Sequence, residues 1–178
     1  MGLSSDSIKV LLPPEENFTP TDLIEHMAGV MYTEEAHAIR NSIEGLPEML
    51  RIIMWIIDFD TELTMNGISG FLENSSGRYL SETVAALQLI GATKDAALLK
   101  EIEKQVEEIN VETKIVLNPY QVTSFEDRHS INEEALKKIE ELADRLYLNS
   151  DDRDVFDYLV TYLSDHWNLI GNPFREEK

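Results

Sequence analysis

The sequence predicts an all-α fold, one irregular multi-helix bundle, and three observations predict it. Apolar residues recur at helical spacing in segment after segment. Those segments open at Ser, Thr or Pro and close at Gly or Asn, the residues that start and stop helices. No segment repeats at a fixed period, so solenoid and propeller architectures have no support. At 178 residues, 43% of them hydrophobic, the chain is sufficient for one domain without staples, and a domain of that size buries roughly 70% of its unfolded surface.

Residues 1–20 read as an irregular arm, because Pro13, Pro14 and Pro20 block regular structure until Thr21 can cap a helix. Residues 21–170 read as a single helical domain and 171–178 as a tail. Leu23, Ile24, Met27, Ala28 and Met31 share one helical face, and Thr33 with Glu34 and Glu35 restarts a short helix toward Ile43. Pro47 suits the first turn of the most apolar helix, through Leu50, Ile53, Met54 and Ile57 to about Met65, where Asn66-Gly67 stops it. A short helix around 68–72 and the turn Asn74-Ser75-Ser76-Gly77 precede a helix over 79–90, which Gly91 ends.

Thr93 and Asp95 open a helix reaching Asn110, with Leu98, Ile102 and Val106 on its apolar stripe. Around Pro119 the pattern loosens; Ile115-Val116-Leu117 and Gln121-Val122-Thr123 read as irregular connection, with short strands as the alternative. Ser130 and Glu133 form a capping box for a helix along Leu136, Ile139, Leu142 and Leu146. After Asn149-Ser150 a last helix carries Val155, Phe156, Leu159, Val160 and Leu163.

Composition excludes several function classes. Without cysteine there is no disulfide and no thiolate metal site. The N-terminus lacks a basic leader and a long apolar run, so a cytoplasmic setting is expected. The longest apolar run, 52–57, is far short of the ~20 residues a membrane span needs. The net charge of -19 repels nucleic acid and anionic lipid and attracts basic proteins.

Catalytic motifs are imitated without being completed. Asp58-Phe59-Asp60 resembles the paired aspartates of a phosphatase nucleophile, but that chemistry needs a strand end in a parallel sheet, and helical periodicity surrounds it here. It reads as a solvated helix face. Glu34 with His37, and Glu126 with His129, have the spacing of a di-iron carboxylate bundle, yet the second pair falls in a loop. Asp151, Asp152, Asp154 and Asp157 lack the glycine and terminal glutamate of a calcium loop and read as favourable charges at a helix N-terminus. Ser75 and Ser76 read as caps, and no nucleophile motif surrounds them. The tryptophans read as core, except that Trp167 is a candidate interface residue.

The remaining signal is the unbalanced excess of carboxylates. Asp58, Asp60, Glu62 and Glu73 cluster about the end of the central helix, and Glu140, Glu141, Asp144, Asp151, Asp152 and Asp154 crowd the last two helices. Holding like charges together costs self-repulsion that solubility alone does not require. Rows of carboxylates on helices can stand where DNA phosphates would.

Asp60-x-Glu62, Asn66-Gly67, Phe71-Leu72-Glu73-Asn74-Ser75-Ser76-Gly77, Ala86-Leu87-x-x-Ile90-Gly91-Ala92 and Ala143-Asp144-Arg145-Leu146-Tyr147 together resemble an acidic bacterial family of small all-helical proteins, mostly labelled a domain of unknown function. Its named member is a DNA-mimic protein. The likeness covers roughly residues 46–166, with two departures: Met65-Asn66-Gly67-Ile68 where Asn-Gly-Gly-Phe is usual, and Gly70 where glutamine is common. The resemblance implies an all-helical homodimer whose carboxylates occupy the DNA-binding surface of a transcriptional regulator.

The expected function is therefore an acidic protein-binding module, a DNA mimic directed at a basic regulator, with the ten carboxylates above as contacts and no cofactor. The alternative is an immunity-type or chaperone-like binder of a basic effector. A metal-dependent hydrolase or oxidase built on Glu34 and His37 ranks last.

Overall fold

The computed structural model describes residues 8–15, 17–40, 42–108 and 133–167, with the side chains of 37, 38 and 133 excepted, and among the described residues every regular element is helical. The elements are α1 (Pro20–Val30), α2 (Glu34–Arg40), α3 (Glu48–Glu73), α4 (Leu80–Leu89), α5 (Thr93–Glu108), α6 (Glu133–Ala143) and α7 (Val155–Asp165), with 3-10 turns at Ile43–Gly45, Ser75–Tyr79 and Tyr147–Asn149. The all-α class predicted from periodicity is the class observed. The Ser130 cap and the alternative strands near Pro119 lie outside the described residues. No described helix is long and apolar enough to cross a membrane.

The chain divides into two compact units, Met1–Ile57 with Phe156–Lys178, and Asp58–Val155. In the first, the cap of α1 is Thr19, two residues before the expected Thr21. Thr19 accepts the Asp22 amide at 3.2 Å and Asp22 accepts the Thr19 amide at 2.7 Å, a reciprocal capping box with Pro20 at the first helical position. Pro20 thus opens the helix, because its fixed φ and missing N–H suit that position. The apolar faces of α1 (Leu23, Met27), of α3 (Leu50, Ile53) and of α7 (Leu159, Leu163) are all buried, as is Leu11 from the segment before α1. His26 Nε2 lies 3.1 Å from the Val10 carbonyl, a second tie on that segment. Trp167 meets Phe18 edge-to-face at 5.7 Å.

The second unit holds the distal part of α3, then α4, α5 and α6. Helix α5 packs against both α4 and α6, with Leu98, Leu99, Ile102 and Val106 buried. Phe59 and Phe71 form a T-shaped pair at 5.0 Å, and the Tyr147 ring stands 6.1 Å from Phe59. As the sequence reading has it, Asn66-Gly67 breaks the central helix and a shorter helical segment follows, the two being continuous only across a kink. Gly67 takes φ 67, a kink from which helical bonding resumes to Glu73. A side chain there would be strained, so glycine is what lets the chain change direction between the two segments of α3. The following turn is closed tightly: a Cβ at Gly77 would lie 2.6 Å from the Leu72 carbonyl oxygen and 2.7 Å from that of Phe71.

Candidate functional site

Helix α6 ends at Ala143, and the next eleven residues pass through one 3-10 turn before α7 begins. Its end is marked by Leu146 turning extended, φ -67 and ψ 165, with its side chain fully buried. Glu140, Glu141, Asp144, Asp151, Asp152 and Asp154 from this stretch are all exposed. Glu141 has Lys137 at 3.7 Å, an exposed i,i+4 pair worth little. Ser150 Oγ donates to Asp152, which holds that carboxyl below its ordinary range and keeps it ionised, with smaller help from Lys94 and Arg153.

What fixes the loop beneath these charges is a buried polar network. Asp95, in the first turn of α5, is fully buried, and its Oδ1 accepts the Tyr147 amide at 2.9 Å and Arg153 Nη2 at 3.3 Å. Arg153 Nη2 also donates to the Arg145 carbonyl at 2.9 Å. Side-chain exposure is 7% for Arg153 and 1% for Asp95, so this ion pair is desolvated. Burial raises the Asp95 carboxyl above its ordinary value, against the opposing pull of Arg153 and the Tyr147 amide.

Tyr147 carries the network on to α3, where its hydroxyl donates to Asp60 Oδ1 at 2.8 Å. Burial raises the Asp60 carboxyl; the Tyr147 hydrogen bond works the other way, and the charge of Asp154 adds to the rise. Burial first, then the charge of Asp60, drives the Tyr147 hydroxyl far above its ordinary range, so it is a permanent donor.

The acidic residues at the end of the central helix are placed differently from those after α6. Asp58 is 5% exposed, so the solvated-face reading does not describe it. Asp60 is half-buried under Tyr147. Glu62 accepts Asn74 Nδ2 at 2.6 Å and Asn66 Nδ2 at 3.1 Å, spanning the Gly67 kink. Glu73 is half-buried. The structure brings Asp60 within electrostatic reach of Asp154. Of the carboxylates of α3, Asp60 is engaged by Tyr147 and Glu62 by two asparagines.

The other motifs resolve locally. Ser76 is buried and its hydroxyl points back to the Phe71 carbonyl at 3.4 Å, closing the turn, so it is not a helix cap. Asp157 sits in the first turn of α7, as a favourable charge at a helix N-terminus. The His37 side chain, Glu126 and His129 lie outside the described residues. Among the described residues no group of three or more His, Asp or Glu could hold a metal.

Sequence reasoning missed Asp95 and Arg153 as parts of the site. Asp95 read as a helix-opening charge, and Arg153 was invisible among four aspartates. The available signal was Arg153 itself, a lone cation in an acidic run, which is where a buried counter-charge belongs.

No curated protein and no solved structure gives a significant match. A family model, described as DMP19-like protein, matches residues 44–166, which contain α3 to α7 and the acidic loop. The match covers well over half of the chain, and the chain belongs to the DMP19-like protein family.

Proposed function

We propose that this chain is an acidic helical protein-binding module that acts as a DNA mimic, occupying the DNA-binding surface of a basic regulator through the carboxylates of α6 and the loop after it. The observation that carries the reading is the contrast within residues 140–154. Six carboxylates there are exposed, while Arg153, one of only two cations in the stretch, is buried against Asp95. The outward face of the loop is therefore dominated by negative charge, and its backbone is tied at Arg145 and Tyr147. A fixed array of carboxylates meets the requirement for standing in for phosphates, because its charges need no ordering on binding. Family membership is compatible with this role.

The test is a pull-down of endogenous partners with the purified protein, repeated with excess duplex DNA and at raised salt. Mimicry requires that a DNA-binding protein be captured and that DNA release it. Capture of a basic protein that DNA does not displace would replace it with the second reading, an immunity-type or chaperone-like binder. Leu148 favours that alternative: it is 43% exposed in the middle of the acidic loop, an apolar anchor that phosphate mimicry does not need.

A further inference from the structure

The Asp95–Arg153 pair is more than a salt bridge that the fold happens to contain. It is desolvated, and among the described residues Asp95 Oδ2 and Arg153 Nε remain buried without a hydrogen-bond partner. A buried pair left this incompletely satisfied is a poor source of stability, since the desolvation of two charges offsets their attraction. What it achieves is geometric. One carboxylate from α5 and one guanidinium from the end of the loop together hold the Tyr147 amide and the Arg145 carbonyl, on either side of the point where the backbone turns extended at Leu146.

We propose that Asp95 and Arg153 are positioning residues that set the shape of the carboxylate loop over residues 144–154, so that binding of a cationic partner depends on two buried side chains that do not touch it. The inference rests on the proposed binding role of the loop, and the charge arithmetic makes it testable. Replacing Arg153 by Met makes the chain more negative by one unit. Charge alone then predicts tighter binding of a cation, whereas loss of the loop's shape predicts weaker binding.

The experiment uses the full chain, with amide hydrogen exchange and retention of an immobilised deca-arginine peptide as its two readouts. In Arg153→Met, amides of residues 145–150 exchange about tenfold faster or more while those of α4 are unchanged, and the peptide binds about threefold more weakly in spite of the added charge. Arg153→Lys, which keeps a charge and donors, lies between the variant and the wild type in both readouts. Unchanged loop exchange, equal loss of protection across the unit, or tighter peptide binding overturns the proposal. Should Arg153→Met not fold, Asp95→Asn decides by exchange alone, because its amide oxygen still accepts from Tyr147 while the charge facing Arg153 is gone. If the wild type does not retain the peptide, the binding role of the loop fails, and the exchange result still decides the positioning role separately.

Discussion

Tyr147 Oη donates to Asp60 Oδ1 at 2.8 Å across 87 positions of sequence, and the amide of the same tyrosine donates to Asp95. One residue thus fastens the 3-10 turn to both α3 and α5. Tyr147→Phe keeps the ring against Phe59 and removes only the hydroxyl. Because the acceptor is a half-buried carboxyl group, the expected loss is about 1.5 kcal/mol at neutral pH. Urea unfolding at pH 7 and pH 5 checks it, and the loss shrinks at the lower pH as Asp60 takes up a proton.

Stability as a whole should respond to acid in an unusual direction. Asp60 and Asp95 both titrate above their ordinary values, chiefly through burial. Between the unfolded pKa and the raised one the native state binds more protons than the unfolded chain, so stability falls as pH rises through that window. Asp22 and Asp152 titrate below their ordinary values and act oppositely, since their contribution is lost as pH falls through the folded pKa. These two are fully exposed, and relief of the -19 net charge on acidification adds to the first effect. Tm is expected to rise from pH 7 to about pH 5 before acid unfolding begins. Asp60→Asn should reduce the rise, and a steady fall of wild-type Tm over the same range would refute the account.

The kink at Gly67 is bridged by Glu62, which accepts from Asn66 on the near side and from Asn74 beyond the end of the helix. Asn74→Ala is expected to cost about 1 kcal/mol, and a double-mutant cycle with Glu62→Ala should give a coupling of about 0.5–1 kcal/mol. Additive single effects would show that the two side chains do not act as a clamp.

Two glycines make an opposed pair of predictions. Gly77→Ala forces a Cβ against two carbonyl oxygens of the α3 end, an overpacking that costs about 1–3 kcal/mol. Gly29, inside α1, has open space where its Cβ would be. Gly29→Ala should stabilise by about 0.5–1 kcal/mol through helix propensity. Thermal melts of both variants against wild type settle the signs.

Helical periodicity and its stop signals made the all-α class legible, because a buried stripe leaves its period in the sequence. The same signals placed the end of α4 at Gly91, whose φ of 90 is what a C-terminal glycine supplies. They also placed the break at Gly67, whose positive φ separates the two segments of α3; what they did not show is the Glu62–Asn74 bond that ties the segments together in three dimensions. Gly70 has a cause of the same kind, visible only in three dimensions: a Cβ there would lie 2.0 Å from Asn66 Cβ. The carboxylates were all visible, but their division into engaged and outward-facing ones was not. That division depends on Tyr147, Asn66 and Asn74 reaching Asp60 and Glu62.

The same division separates carboxylates that should matter for binding from those that should not. Asp144, Asp151 and Asp152 are exposed on the loop after α6, whereas Glu62 is committed to two asparagines. Exposed charges at an interface act mainly through long-range attraction, so they change the association rate and its salt dependence more than the dissociation rate. The triple variant Asp144→Asn, Asp151→Asn, Asp152→Asn is expected to slow association with the captured basic partner by about tenfold at low salt, with the difference closing as salt is raised past the screening range. Glu62→Gln, with one charge removed from the same unit, should leave the association rate close to wild type. Stopped-flow measurements at two salt concentrations separate the cases: slowing by Glu62→Gln of about twofold, the share of one charge in three, would mean that only net charge counts, and the partner would then be reading the field of the molecule and not the loop.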